Sequence, residues 1–198
     1  MIGWVRIILV AVCIGLLGLS ACQTTTQTVT PEATVSVPAS PSIPAGSCVA
    51  ASGGTDGVLM YVTDVRVGTH PGYDRITFEF TPAEGSPAAL PKYELSPAQP
   101  PFTYDPSDKP MEVEGDTFLH IIFHGATGVK IEGETPEETY TGPKEIKAGH
   151  PSLVEAELQS DFEATLQWML GLSPGTCWNA SEQGDPTRLV IDLPHRSE

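Results

Sequence analysis

The chain has 198 residues, with 10 Lys and Arg against 25 Asp and Glu, for a formal net charge of −15. A nucleic-acid binder needs a basic surface that displaces counterions, so that class is excluded. The same charge argues against electrostatic binding to anionic lipid headgroups or other polyanions.

Arg6 is the only charge in residues 1–21, and an apolar run over residues 7–19 follows it. A basic start, a short apolar stretch and small residues before a cut define a secretory signal. The run is shorter than the ~20 apolar residues of a membrane-spanning helix. It ends in Leu19-Ser20-Ala21-Cys22, which resembles the bacterial lipobox, a Leu and two small residues before a Cys. The resemblance implies cleavage before Cys22 and a diacylglycerol on its thiol. The partner would then be the cell membrane, held through the lipid at its extracytoplasmic face. An ordinary signal peptide or an uncleaved anchor is the alternative. Each buried CH₂ contributes ~0.8 kcal/mol, so two or three acyl chains would hold firmly.

Residues 22–47 are dominated, after Cys22, by Thr, Ser and Pro and show no apolar period. Such a segment cannot bury a core and reads as a disordered tether. As a flexible coil, ~25 residues span roughly 25–30 Å. Cys13 leaves with the leader and Cys22 is lipidated, so Cys48 and Cys177 remain as an even pair in an exported chain. A disulfide between them is expected. It would close a loop of ~130 residues, which chain entropy values at ~4–5 kcal/mol. Two buried free thiols are the alternative.

Residues 48–198 have the size of one domain. Gly and Pro punctuate short β-rich runs throughout. The first covers residues 57–67, with Met60, Val62, Val65 and Val67 as core positions, and its change of parity predicts a bulge. "RITFEF" alternates Ile76, Phe78 and Phe80 against Arg75, Thr77 and Glu79. Shorter strands are expected at 92–96 and 101–104, and a strong one at 117–125. Residues 128–150 are acidic and Gly-rich, and read as an exposed loop with Tyr140 as an anchor. A strand at 152–159 would alternate Val154, Ala156 and Leu158. Residues 160–172 offer Phe162, Leu166, Met169 and Leu170 at helical spacing, but Leu166, Trp168 and Leu170 at strand spacing. The β neighbourhood favours a strand over 164–170. A weaker strand at 177–181 precedes the closing one, "RLVIDL", at 188–193. Many short strands with turn signals between them indicate a sandwich or barrel.

"DRITFEF" and "TRLVIDL" share one pattern: Arg, apolar, any, apolar, acid, apolar. In each the Arg and the acid lie four residues apart, on one face of a strand, while Ile76/Phe78/Phe80 or Leu189/Ile191/Leu193 point to the core. Two arrangements follow. Antiparallel pairing would set Arg75 opposite Asp192, Glu79 opposite Arg188 and Thr77 opposite Val190, each charge pair contributing ~0.2–1 kcal/mol. Alternatively, each repeat lies in its own sheet and displays its own Arg/acid stripe.

"VRVGTHPGYDRITFEF", "SDFEATLQWMLGL" and "RLVIDL" together resemble the AMIN-like domain of bacterial cell-envelope lipoproteins, over most of residues 58–193. Residues 82–138 carry no matching motif. The resemblance implies an all-β fold, a β-sandwich of two mostly antiparallel sheets. It also implies envelope localisation and peptidoglycan binding. The family's two-sheet plan, with a related motif in each sheet, favours the second arrangement of the repeats.

No Gly-x-Ser-x-Gly elbow and no Gly-rich phosphate loop is present. His120 and His124 have the His-x₃-His spacing that grips zinc on a helix, but on a strand their imidazoles stand ~13 Å apart. His70, His150 and His195 lack partners at ligand spacing. With 25 acids some close carboxylate pair is inevitable and does not mark a glycosidase. No enzyme, metal or cofactor is expected. The binding candidates are Tyr73, Asp74, Arg75, Glu79, Arg188 and Asp192. Arg holds a carboxylate bidentately, and Tyr offers a flat face with a hydroxyl tip. Trp168 and Trp178 could add a stacking surface. The structural alternative makes Pro71-Gly72 a turn, has Asp74 bonding turn amides, and has Arg75 in an internal pair. Three functions are open: a lipid-anchored module that binds peptidoglycan or another wall polymer, a subunit that docks an envelope protein by a strand edge, and an unrecognised enzyme. The family resemblance favours the first.

Overall fold

The computed structural model describes residues 46–132 and 135–196, so the expected leader, Cys22 and most of the tether lie outside the described residues. Fifteen strands are described: β1 (Ala51–Gly53), β2 (Met60–His70), β3 (Tyr73–Pro82), β4 (Lys92–Ala98), β5 (Phe102–Tyr104), β6 (Lys109–Met111), β7 (Thr117–His124), β8 (Ala126–Thr127), β9 (Val129–Glu132), β10 (Thr135–Glu138), β11 (Glu145–Lys147), β12 (Leu153–Phe162), β13 (Thr165–Leu172), β14 (Asn179–Gln183) and β15 (Thr187–Pro194). A six-stranded sheet runs β1-β4-β7-β13-β12-β11, and a five-stranded sheet runs β14-β15-β3-β2-β8. Every pairing in them is antiparallel except β2 with β8. The fold is the expected β-sandwich.

Alternation builds the core. Met60, Val62 and Val65 of β2, Ile76, Phe78 and Phe80 of β3, and Leu189, Ile191 and Leu193 of β15 are buried from one sheet. Leu119, Ile121 and Phe123 of β7 and Leu166, Trp168 and Leu170 of β13 meet them from the other. Phe78 sits 5.2 Å from Phe123 and 5.8 Å, edge-on, from Trp168. The predicted bulge falls between Val62 and Asp64, where the β2–β3 register shifts. One extra residue, Thr63, keeps Val62 and Val65 on the same face.

Residues 160–172 take the strand form, as the end of β12 and the whole of β13. β12 and β13 pair through Phe162 and Thr165, and the two turn residues, Glu163 and Ala164, have φ of 49° and 56°. Positive φ at both central positions matches the twist of a two-residue hairpin. Residues 128–150 are not simply an exposed loop. They form the β9–β10 hairpin and the edge strand β11, because they pair backbone groups that a loop would leave to water. Tyr140 is the anchor, buried against Trp168 with its hydroxyl donating to the Pro143 carbonyl at 2.7 Å.

The outer face of the six-stranded sheet is covered as well. The β5–β6 hairpin lays Phe102 and Met111 against Met169, and Phe102 meets Phe118 edge-on at 4.9 Å. β12 therefore buries both faces: Ala156 in the main core and Glu155 and Glu157 on the other side. Val154 and Leu158 are only partly buried. The expected Cys48–Cys177 disulfide is formed. It lies beside the Ser47–Trp178 backbone bridge and ties the start of the domain to the approach of β14.

Candidate functional site

The two Arg/acid repeats lie side by side in one sheet. β15 pairs antiparallel with β3, setting Asp192 opposite Arg75, Arg188 opposite Glu79 and Val190 opposite Thr77. The two-sheet arrangement favoured by the family's plan is therefore corrected. Both strands put three large apolar residues on the same inner face, and adjacent pairing buries all six while opposite charges meet outside.

This outer face is the candidate site. Arg75 grips Asp192 with two hydrogen bonds, Nε to Oδ1 at 2.6 Å and Nη2 to Oδ2 at 2.9 Å. Its guanidinium also stands 5.2 Å above the Tyr73 ring, and Tyr73 stacks on His70 at 4.7 Å and 13°. His70, Tyr73, Arg75 and Asp192 thus form one ladder across three strands. Toward the other end of the face, Arg66 of β2 pairs with Glu79 at 3.1 Å and also with Asp64. Between the two groups, Thr77 and Val190 are shielded. Arg66 and Asp64 belong to this candidate face and were not among the residues that the sequence singled out. Their signal was the polar half of the alternation around Val65.

Arg188 differs from its neighbours. Glu79, which it faces, is already held by Arg66. The Arg188 side chain makes no ion pair or hydrogen bond among the described residues, and its Nε is cut off from solvent without an acceptor. Among the described residues it is the one arginine of this face left without an anion.

Asp74 is enclosed rather than ligand-facing. It points inward between Tyr73 and Arg75 and is fully buried. Its Oδ2 accepts from the amides of Ser152 at 2.6 Å and Leu153 at 3.0 Å, and its Oδ1 lies 2.8 Å from His195 Nε2. It therefore clamps β3 to the start of β12 and does not cap its own turn. Burial pushes the Asp74 carboxyl up, but hydrogen bonds from His195, Leu153, Ser152 and Thr69 outweigh this and hold it below the usual range. His195 consequently has the partner that its sequence neighbourhood did not show. Trp168 and Trp178 offer no stacking surface, since both are core residues.

His120 and His124 keep separate company on β7. His120 Nε2 lies 3.1 Å from Gln167 Oε1, and His124 Nε2 lies 3.4 Å from Glu94. Burial holds the His120 imidazole below its usual range. Among the described residues no group of three or more His, Cys, Asp or Glu is arranged to hold a metal ion.

The geometry defines a two-sheet β-sandwich that presents paired charges and a stacked ring ladder on an open sheet face. The family model of the AMIN-like domain matches residues 60–195, and the chain belongs to that family. Searches of curated proteins and of solved structures return no significant match.

Proposed function

We propose that the chain is a lipid-anchored, non-catalytic envelope module that binds peptidoglycan or another wall polymer through the outer face of its five-stranded sheet. In this reading residues 1–21 are a lipoprotein leader, Cys22 carries the lipid, residues 22–47 are the tether and residues 48–198 are the binding domain. Membership of the AMIN-like family supports envelope association.

The observation that carries the ligand is Arg188. A cation shielded at Nε and left without an anion is complete only when an acceptor arrives. The carboxylates of wall peptides are such acceptors, and guanidinium binds them in bidentate fashion. Tyr73, Arg75, Glu79 and Asp192 are the fixed surroundings, with most of their charge already matched internally.

Co-sedimentation of the detergent-solubilised full chain with purified cell wall tests this. Retention is expected, and Arg188→Ala should reduce it at least fivefold without changing the circular dichroism spectrum. Retention of the variant at the wild-type level would sink the assignment of Arg188. Cys22→Ser should release the protein from the membrane fraction or leave it unprocessed, and unchanged processing with full membrane retention would remove the lipid anchor from the reading.

A second reading, docking of an envelope protein, draws on β14. That strand ends the five-stranded sheet among the described residues, and Ala180–Gln183 are exposed, giving an edge that an extended segment could extend. Crosslinked pull-down of one defined protein, together with no wall retention, would favour it.

A further inference from the structure

Where β2 meets the β9–β10 hairpin and the β12–β13 turn, two hollows lie on either side of Tyr61. One, of about 650 Å³, is bounded by the sheet face and the hairpin. The other, of about 540 Å³, reaches the β12–β13 turn. Both fall in the size range of small-molecule sites, roughly 300–1,000 Å³.

The two walls differ in chemistry. Among the described residues three large apolar side chains are exposed, and two of them, Leu59 at 38% and Phe162 at 48%, line the second hollow. The first hollow has Thr63, Thr81 and Thr139 along its sides. The Thr139 hydroxyl donates to the Val62 carbonyl at 2.9 Å and that of Thr63 to the Glu79 carbonyl at 3.3 Å. Both oxygens therefore keep a lone pair for an incoming hydroxyl. Glu84, Glu137 and Glu138 border this hollow, and Asp161 and Glu163 border the other, while Lys130 is the only base among the described residues that line either one. An anionic ligand is repelled by that balance.

We infer that these hollows form a saccharide site that takes an uncharged stretch of sugar chain across Tyr61. Sugar rings present C–H faces to the Tyr61 and Phe162 rings, and their hydroxyls donate to the carboxylates and threonine oxygens. A free carboxylate on the ligand belongs elsewhere, and Arg188 is nearby on the same sheet. Thr81 lies two residues beyond Glu79 on β3, and Glu79 lies opposite Arg188. The inference rests on the wall-polymer reading and divides it into a sugar half at Tyr61 and a peptide half at Arg188.

The test titrates the detergent-solubilised full chain with chitotetraose, an uncharged oligomer of N-acetylglucosamine, by calorimetry and by saturation-transfer NMR. Binding is expected. Tyr61→Ala should weaken it at least tenfold, Tyr61→Phe should retain it, and Arg188→Ala should leave it unchanged. Thr81→Arg, at an exposed position, fills the first hollow without touching the core and must show the same loss even if Tyr61→Ala does not fold. No binding at millimolar oligomer, or binding unchanged in Thr81→Arg, overturns the saccharide site. If wall retention persists while the oligomer does not bind, the sugar inference falls alone. If the oligomer binds as expected but wall retention is absent, the wall reading falls and the saccharide site stands.

Discussion

Asp74 and Glu157 are both buried carboxylates, yet their surroundings push them in opposite directions. Asp74 accepts two backbone amides and a His195 nitrogen, and its folded pKa lies below its usual value. The stability it contributes is present above about pH 4 and is lost as pH falls through the folded value. Asp74→Ala strands the Ser152 and Leu153 amides and should cost about 3 kcal/mol, read as a lower urea midpoint at pH 7. Glu157 faces Tyr104, Glu155, Glu145 and Lys147. Burial pushes its carboxyl up, the hydrogen bond from Tyr104 opposes this, and the charges of Glu155 and Glu145 add to the rise. Its Oε2 has no hydrogen-bond partner. The folded state therefore holds this proton more tightly than the unfolded chain does, and the stability so gained is lost as pH rises through the raised pKa. Glu157→Gln keeps an acceptor for Tyr104 and removes the charge. It should raise stability at pH 7 by about 1 kcal/mol, with the gain shrinking as pH falls through the raised pKa and gone below about pH 4.5, as measured by urea unfolding across that range. Neither behaviour was legible in the sequence. A carboxylate's partners lie far along the chain, as with Asp74 and Ser152, 78 residues apart.

At the scale of elements, alternation was a sufficient guide wherever one sheet face is dry and the other wet. It placed Ile76, Phe78 and Phe80 inside and predicted the bulge before Asp64. It failed for β12, whose second face is covered by the β5–β6 hairpin, so that polar Glu155 and Glu157 are buried where alternation assigns water. The β12–β13 turn escaped notice for another reason. Glu163 and Ala164 occupy positive φ without the Asn-Gly pair that usually announces such a turn. Each L-residue there carries a cost of about 1 kcal/mol. Replacing Glu163-Ala164 by Asn-Gly should therefore stabilise the domain by about 1 kcal/mol or more, seen as a rise in thermal midpoint. An unchanged midpoint would show that the tertiary frame already absorbs the strain.

For the molecule as a whole, the Cys48–Cys177 disulfide closes a sequence separation of 129 residues, nearly the full domain. Constraint of so long a loop is worth roughly 4–5 kcal/mol in the chain-entropy model. The double variant Cys48→Ala/Cys177→Ala should lose at least half of that in urea unfolding, while the strands of the core, held by the Phe78, Phe123 and Trp168 contacts, should retain their circular dichroism. The sequence by itself determined the β class, the inner residues of the main strands and the cysteine pairing, since each rests on local alternation or on simple counting. It also revealed the Arg/acid repeat. Only the tertiary structure decided that the repeats face each other, because register depends on which strands become neighbours. It likewise enclosed Asp74, left Arg188 without an anion and opened the hollows at Tyr61. Those are properties of side chains brought together from distant strands, and no spacing along one strand encodes them.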